Sequence, residues 1–177
     1  RLAVGNYELH ASRTGFQDYL QTGVSLTVGQ AAYAPIIMKV GSTVSTVTVT
    51  ANVSLIDTQT PTSNQIVGGQ QAVNLPLNGR DTQDLVNVAP GTINPARFGP
   101  KLSGQGAFYP DEATYSVNGA DPAGVNYEMD GVPHNDTYLN ASEPFPDPDA
   151  TQEFGIQSAN FSAEYGHAAG GIVNIVT

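Results

Sequence analysis

The sequence predicts an α+β, β-rich chain, in which a partial antiparallel β-sandwich is followed by a small mixed-sheet α/β domain. Three observations carry this. Gly (19) and Pro (12) are plentiful beside many Thr, Asn, Ser and Gln, and Trp is absent, which favours strands and long loops over helices. Period-two alternation runs through Gly5–Ala11 and again through Gly41–Ala51, the spacing that puts successive side chains on opposite faces of a strand. The chain closes on Ile172, Val173, Ile175 and Val176, a β-branched run behind Gly170-Gly171 that reads as a short, largely buried strand.

A chain of 177 residues suits one ordinary domain or two small ones, and an apolar fraction of 40% supports a modest core. The formal net charge of -10, with only six Lys and Arg, speaks against a nucleic-acid partner, because phosphate binding needs cations to replace counterions. No Lys or Arg follows Lys101, whereas eleven Asp and Glu do. The plain reading is a solvated acidic surface, and the sharper one a cation-binding or steering face. With no Cys, disulfides and thiolate metal sites are excluded. The chain starts at Arg1 with neither an initiator Met nor a signal peptide, so it is read as a mature or partial product. No apolar run approaches the roughly 18 to 20 residues of a transmembrane helix.

In chain order, Gly5–Ala11 predicts a half-buried strand with Tyr7 and Leu9 inward and Glu8 and His10 outward. Residues 16–20 and 23–28 read as two further strands, Val24, Leu26 and Val28 sharing a face. Ala31–Val40 reads as a last strand centred on Ile36, Ile37 and Met38, with Pro35 marking an edge or bulge. So few residues cannot close a sandwich, so the missing strands are expected either to precede Arg1 or to be supplied by a neighbouring chain through strand addition. The Val/Thr alternation that follows has strong β propensity and no clearly apolar face, so its register is weak and it suits pairing with a partner; an ordinary last strand or linker is the alternative. Residues 52–69 read as a linker leading into short extended pieces. Asn78 is expected to cap a short helix, with Asp81 in its first turn, Leu85 and Val88 as its apolar face and Pro90-Gly91 as its stop. Residues 92–110 and 137–148 are long loops. Residues 113–117 and 127–130 read as paired strands, followed by a short helix near 149–152 and strands near 154–157 and 171–176.

The phrases Gly5-Asn6-Tyr7-Glu8-Leu9, Gly15-Phe16 and the apolar segment closing at Val40-Gly41 resemble the second half of a carboxypeptidase-regulatory-like, transthyretin-like sandwich domain. Four further phrases resemble, in order and spacing, the plug domain of TonB-dependent outer-membrane receptors. They are Leu75-Pro76-Leu77-Asn78-Gly79-Arg80 with Pro90-Gly91; Ser116-Val117-Asn118-Gly119; Tyr127-Glu128-Met129-Asp130-Gly131-Val132-Pro133; and Gln152-Glu153-Phe154 through Glu164-Tyr165-Gly166 to Gly170-Gly171-Ile172-Val173-Asn174-Ile175-Val176-Thr177. The organisation that follows is a sandwich part over residues 1–43, an extended linker over 44–60 and a plug over 61–177. The plug's structural motif is then Asn78, Gly79, Arg80, Asp130, Gly131, Pro133, Gly166, Gly170 and Gly171. Asp130-Gly131 supplies an acceptor and a permissive backbone for a tight turn, Pro133 fixes the exit, and the three later glycines allow close backbone approach.

The resemblance implies a non-enzymatic module that gates uptake of a small ligand through an outer-membrane β-barrel, on the periplasmic or lumen side, with the barrel beginning after Thr177. It also implies a TonB-type energy-coupling protein as partner. The extended segment Ser45, Thr46, Val47, Thr48, Val49, Thr50 and Ala51 lies where the coupling box would fall, although its alternation is not a close copy of the usual box. Arg97, Lys101, Tyr109, Tyr138 and Phe145 are candidate ligand-facing residues in the two loops. The alternative is an extracellular structural or adhesive subunit that self-associates by β-strand complementation through its unpaired strands.

No cofactor and no catalytic group is expected. His10, His134 and His167 are far apart, the common zinc spacings are absent, and Ser116 and Ser158 lack a nucleophile elbow. A calcium site at Asp130, Asp136, Asp147 and Asp149 is the one metal idea, and its spacing fits no EF-hand loop; carboxylates capping loops are the plainer reading.

Overall fold

The computed structural model describes residues 2–30, 32–41, 46–50, 63–94, 114–166 and 168–177, residues 46–50 by their backbone alone. The chain divides into two compact units, Arg1–Gln59 and Thr60–Thr177. Together they form a strand-rich mixed α/β structure with little helix.

In the first unit, strands β1 (Gly5–Ala11), β2 (Asp18–Leu26) and β3 (Thr46–Thr50) form one sheet in that order. β1 alternates inward and outward as its period demands, and it runs antiparallel to β2. The two strands expected over residues 16–28 are one. Tyr7 pairs with Val24 but Leu9 with Gln21, so β2 carries an extra residue where Gly23 takes φ 82°, and the break read from the sequence is a bulge inside a continuous strand. The strand expected over Ala31–Val40 does not form among the residues described there. Only a bridge between Phe16 and Val40 joins this segment to the sheet, and Ile37 is 80% exposed. Pro35 has no N–H to donate, and Ile36-Ile37-Met38 lacks the alternation that would bury one face. β3 runs parallel to β2, Thr46 opposite Asp18 and Thr50 opposite Thr22.

The second unit is built on a five-stranded mixed sheet. β4 (Ser63–Gly68) leads directly into α1 (Gly69–Asn74), then come 3-10 turns at Asn78–Arg80 and Thr82–Val88 and the two-residue strands β5 (Thr92–Ile93) and β6 (Ser116–Val117). β7 (Val125–Met129), β8 (Val132–Pro133), β9 (Glu153–Ala159) and β10 (Gly171–Val176) complete it. The sheet order is β4-β9-β10-β7-β8. β10 lies in the centre, parallel to β7 and antiparallel to β9. A parallel pair needs a long crossover, and here it contains β8, the loop after it and β9.

One face of this sheet packs on α1 and the Thr82–Val88 turn. Val67, Ala72, Leu85, Val86, Ala89, Tyr115, Val117, Val125, Tyr127, Phe154, Ile156, Val173 and Ile175 make one buried cluster. On the other side of the same strands Ile172 is buried too, with the polar Glu128, Glu153, Gln157 and Asn174. Burial is therefore nearly continuous along β9 and β10, although in β9 Phe154 and Ile156 alternate with Glu153 and Gln157.

Three expectations change here. Gly69, read as the end of a linker, and residues 70–74, for which no element was expected, form α1. Asn78 does not cap a helix: it is the first residue of a turn whose central pair, Gly79 and Arg80, takes left-handed backbone, φ 69° and 61°. The helical segment starts after it, with the Asp81 carboxylate accepting from the Gln83 N–H at 2.9 Å, and it buries Leu85 and Val86 while Val88 stays exposed. β6 pairs with β5 and not with the strand at 125–129, because β7 is already flanked by β10 and β8.

Tyr127 is fully buried, and its phenol oxygen makes no hydrogen bond of normal geometry to any described residue. Burial pushes its pKa far above the ordinary phenol value, an effect only partly offset by the Tyr115 backbone facing it. Two predictions follow from this core. Leu85→Ala should lower the unfolding free energy by ~2–5 kcal/mol in urea titrations. Tyr127→Phe should leave stability unchanged or raise it, since no hydrogen bond is lost. Above about pH 10 the unfolded chain ionises this phenol while the folded chain does not, so stability falls as pH rises, and the phenylalanine variant should lose less.

Candidate functional site

The motif residues fall at the two ends of the five-stranded sheet. At the end where β10 finishes, Gly68, Glu153 and Val176 lie in one row, with Met129 and Asp130 closing it. β7 and β8 are joined here by a two-residue hairpin in which Asp130 and Gly131 take φ 52° and 78°, the primed geometry that matches strand twist. The Asp130 carboxylate then accepts from the Thr177 N–H at 3.0 Å and from its hydroxyl at 2.9 Å, while the Asp130 N–H donates to the Ile175 carbonyl. Asp130 thus serves the turn and also holds the end of the central strand. On the other flank Gln152 N–H donates to the Val176 carbonyl at 2.7 Å, and Gly69 N–H donates to the Gln152 carbonyl at 2.8 Å.

Arg80 reaches this same end. Its guanidinium pairs with Asp149, in the 3-10 turn Pro148–Ala150 just before β9. Both side chains are more than half exposed, so the pair aligns the two turns more than it stabilises them. The Thr82 hydroxyl adds a hydrogen bond to the Pro146 carbonyl at 2.6 Å.

The opposite end gathers Asn118, Gly119, Gly124, Gly170 and Gly171. Asn118 and Gly119 form a second primed turn, φ 52° and 76°, closed by Ala120 N–H on the Val117 carbonyl. The Asn118 amide donates to the Ser158 carbonyl at 2.6 Å, tying this turn to β9. A side chain on Gly170 would stand 2.9 Å from Ala120 Cβ, and one on Gly171 would stand 3.1 Å from the Gln157 carbonyl oxygen. Close approach therefore explains this pair. Gly166 has open space around it, so close approach does not account for it.

The segment after β8 acts as a strap over the edge of β7. β8 is short and leaves β7 only partly paired. The Asn135 side chain makes up the difference: its Oδ1 accepts from Tyr127 N–H at 2.7 Å and its Nδ2 donates to the Val125 carbonyl at 3.0 Å, as a neighbouring strand would. Asp136 caps the following turn through Tyr138 N–H and Leu139 N–H. Phe145 lies 5.9 Å from the Tyr127 ring and 5.8 Å from the His134 ring, and it packs against the core. Of the two candidate ligand-facing residues described, Phe145 is thus partly buried, while Tyr138 is 86% exposed. Arg97, Lys101 and Tyr109 lie outside the described residues, as do His167, Ser45 and Ala51. Thr46–Thr50, the rest of the candidate coupling box, is β3.

The four aspartates of the calcium idea are not brought together as ligands. Asp130 holds Thr177, Asp136 caps its own turn, Asp149 pairs with Arg80, and Asp147 precedes the Pro148 turn. Among the described residues no group of three or more His, Cys, Asp or Glu could hold a metal ion. Among the same residues no helix is long and apolar enough to cross a membrane, which says nothing about membrane strands. The sequence reading missed Asn135. A single Asn in a loop carries no periodic signal, and its partners lie on β7.

Removing that side chain should be costly. Asn135→Ala leaves the Tyr127 N–H without its partner and the Val125 carbonyl with only the longer bond from Asn140 Nδ2, and a loss of ~1–3 kcal/mol in equilibrium unfolding is expected. Amide hydrogen exchange at Tyr127 should speed up in the same variant; an unchanged rate would mean that the strap does not protect this edge.

No curated protein matches the chain. Matching solved structures include the siderophore receptor PirA from Acinetobacter baumannii, at 20% identity over 73% of this chain and 19% of that one, with a TM-score of 0.49. The outer membrane transporter YddB from Escherichia coli matches at 18% identity over 64% of this chain and 16% of that one, TM-score 0.49. The siderophore receptor PirA from Pseudomonas aeruginosa matches at 22% identity over 64% and 18%, TM-score 0.44. The chain therefore spans less than a fifth of the length of each of these three. The family model of the TonB-dependent receptor plug domain matches residues 57–173, well over half of the chain. That match takes in both primed turns after β6 and β7, the Arg80 turn and the first half of the central strand, and on it the chain belongs to the TonB-dependent receptor plug domain family.

Proposed function

We propose that this chain is the plug and N-terminal module of a TonB-dependent outer-membrane transporter, and that it gates passage of a small ligand through a β-barrel. The observation that carries this reading is the family match over residues 57–173, which falls almost entirely within the second compact unit. A module of this kind works by displacement and needs no catalytic group of its own. It is not an enzyme in this reading, and its site is the outer membrane, with the plug on the lumen and periplasmic side.

The first unit is read as the later part of a carboxypeptidase-regulatory-like sandwich, in line with its antiparallel β1–β2 pair. The segment Ser45–Ala51 is assigned to the TonB-type coupling protein. Its described part, β3, is the end strand of its sheet, and an end strand offers one row of backbone groups to an incoming strand. Ligand contact is assigned to the loops at residues 92–110 and 137–148, where Tyr138 is exposed.

In cells carrying the full-length receptor, deletion of Ser45–Ala51 should abolish energy-dependent ligand uptake without lowering the amount of receptor in the outer membrane. Val47→Pro and Val49→Pro, each of which removes one backbone donor, should reduce uptake less than the deletion does. Normal uptake by the deletion variant would overturn the coupling assignment.

A further inference from the structure

We propose that Asn78-Gly79 is a site of spontaneous covalent modification, an intramolecular deamidation that the folded chain permits there and suppresses at its other Asn-Gly pair, Asn118-Gly119. The chemistry uses water as its only co-reactant. The Gly79 backbone nitrogen loses its proton to base and attacks Asn78 Cγ, forming a C–N bond as the side-chain amide leaves as ammonia. Water then opens either carbonyl of the succinimide ring, giving aspartate or isoaspartate. The net change is an amide and water in, a carboxylate and ammonium out.

Two requirements govern the first step: a backbone N–H not held by another acceptor, and a side-chain amide free to turn towards it. Asn78 meets both. It and Gly79 are exposed, and no hydrogen bond of the described structure uses the Asn78 side chain or the Gly79 N–H. The Asn78 carbonyl accepts from Asp81, and Arg80 N–H is the donor to Leu77, which leaves Gly79 N–H as the unused donor of this turn. Gly79 also has open space on every side where a Cβ would stand, so nothing crowds the attack.

Gly119 N–H, like that of Gly79, donates in no hydrogen bond of the described structure, but Asn118 fails the second requirement. Its Nδ2 is held on the Ser158 carbonyl at 2.6 Å, and its Oδ1 lies against Gly91, 2.3 Å from where a Cβ on that glycine would be. Turning Cγ towards Gly119 would break the tie to β9.

The consequence at Asn78 is local. Either product adds a negative charge beside Arg80, where it competes with Asp149 for the guanidinium, in a chain already at -10. The isoaspartyl product also lengthens the main chain of a turn that has only two central residues.

The test is to hold the whole 177-residue chain in mildly alkaline buffer, folded and in denaturant, and to follow the Asn78 and Asn118 peptides by mass spectrometry, with enzymatic isoaspartate labelling as a second readout. In the folded chain the Asn78 peptide should convert at least roughly tenfold faster than the Asn118 peptide, a difference of about 1.4 kcal/mol in barrier. In denaturant the two rates should converge. Asn78→Gln, an exposed change that should fold normally by circular dichroism, should remove the fast phase. Equal rates at the two sites in the folded chain, or conversion of Asn78 only after unfolding, would overturn the proposal. Because the readout is covalent, it is independent of whether the chain acts as a transporter plug.

Discussion

The second unit depends on where its last strand lies. Gly171–Val176 is the centre of the five-stranded sheet and is hydrogen-bonded along both edges, to β9 on one side and β7 on the other. Val173 and Ile175 face the core that α1 and the Thr82–Val88 turn cover. Without β10 the sheet is two separate pairs, β4–β9 and β7–β8, each with an unpaired edge. Such strand pairs are marginal in water, so the arrival of the chain end completes the unit. The Asp130 carboxylate on Thr177 and the Gln152 N–H on Val176 hold that strand at its last residues, where fraying would start.

The turns follow from this constraint. Paired strands that twist in one sense are joined most easily by primed turns, as at Asp130-Gly131 between β7 and β8, while the left-handed pairs Gly79-Arg80 and Asn118-Gly119 turn the chain between segments that do not pair with each other. A non-glycine residue in that region is held there by its surroundings. Arg80 has its pairing with Asp149, and Asn118 has its bond to Ser158. The edges are managed as well: β7 is closed partly by β8 and partly by the Asn135 amide, so the strap carries out by side chain what a longer strand would do by backbone. A sheet whose central strand is held at its last residues resists fraying there.

Much of this was legible residue by residue. β1 follows from the alternation of Tyr7 and Leu9 with Glu8 and His10, and β10 from its β-branched run after two glycines. The tight turn at Asp130-Gly131 follows from the backbone freedom of glycine and the acceptor on Asp130. Other elements were not legible, for identifiable reasons. Gly23 reads as a break between strands, yet a glycine can equally be the extra residue of a bulge, and only pairing with β1 decides between them. Asn78 reads as a helix cap because Asp81, Leu85 and Val88 follow at helical spacing, but Gly79 and Arg80 turn left-handed directly after it and Asp81 caps the helical segment instead. Ile36-Ile37-Met38 reads as a buried strand centre, and Pro35 with the lack of alternation leaves the segment exposed.

By itself, then, the sequence determined what depends on neighbours along the chain: which segments can be strands, where the backbone can turn left-handed, and the order of motifs that marks the family. The tertiary structure alone decided what depends on partners far apart. It set β10 between β9 and β7, paired β6 with β5, turned residues 69–74 into α1 and aimed the Asn135 amide at β7. The physical reason is that strand pairing and side-chain capping are long-range choices among many backbone groups of equal chemistry. Periodicity says which face of a strand is apolar, but not which other strand lies beside it.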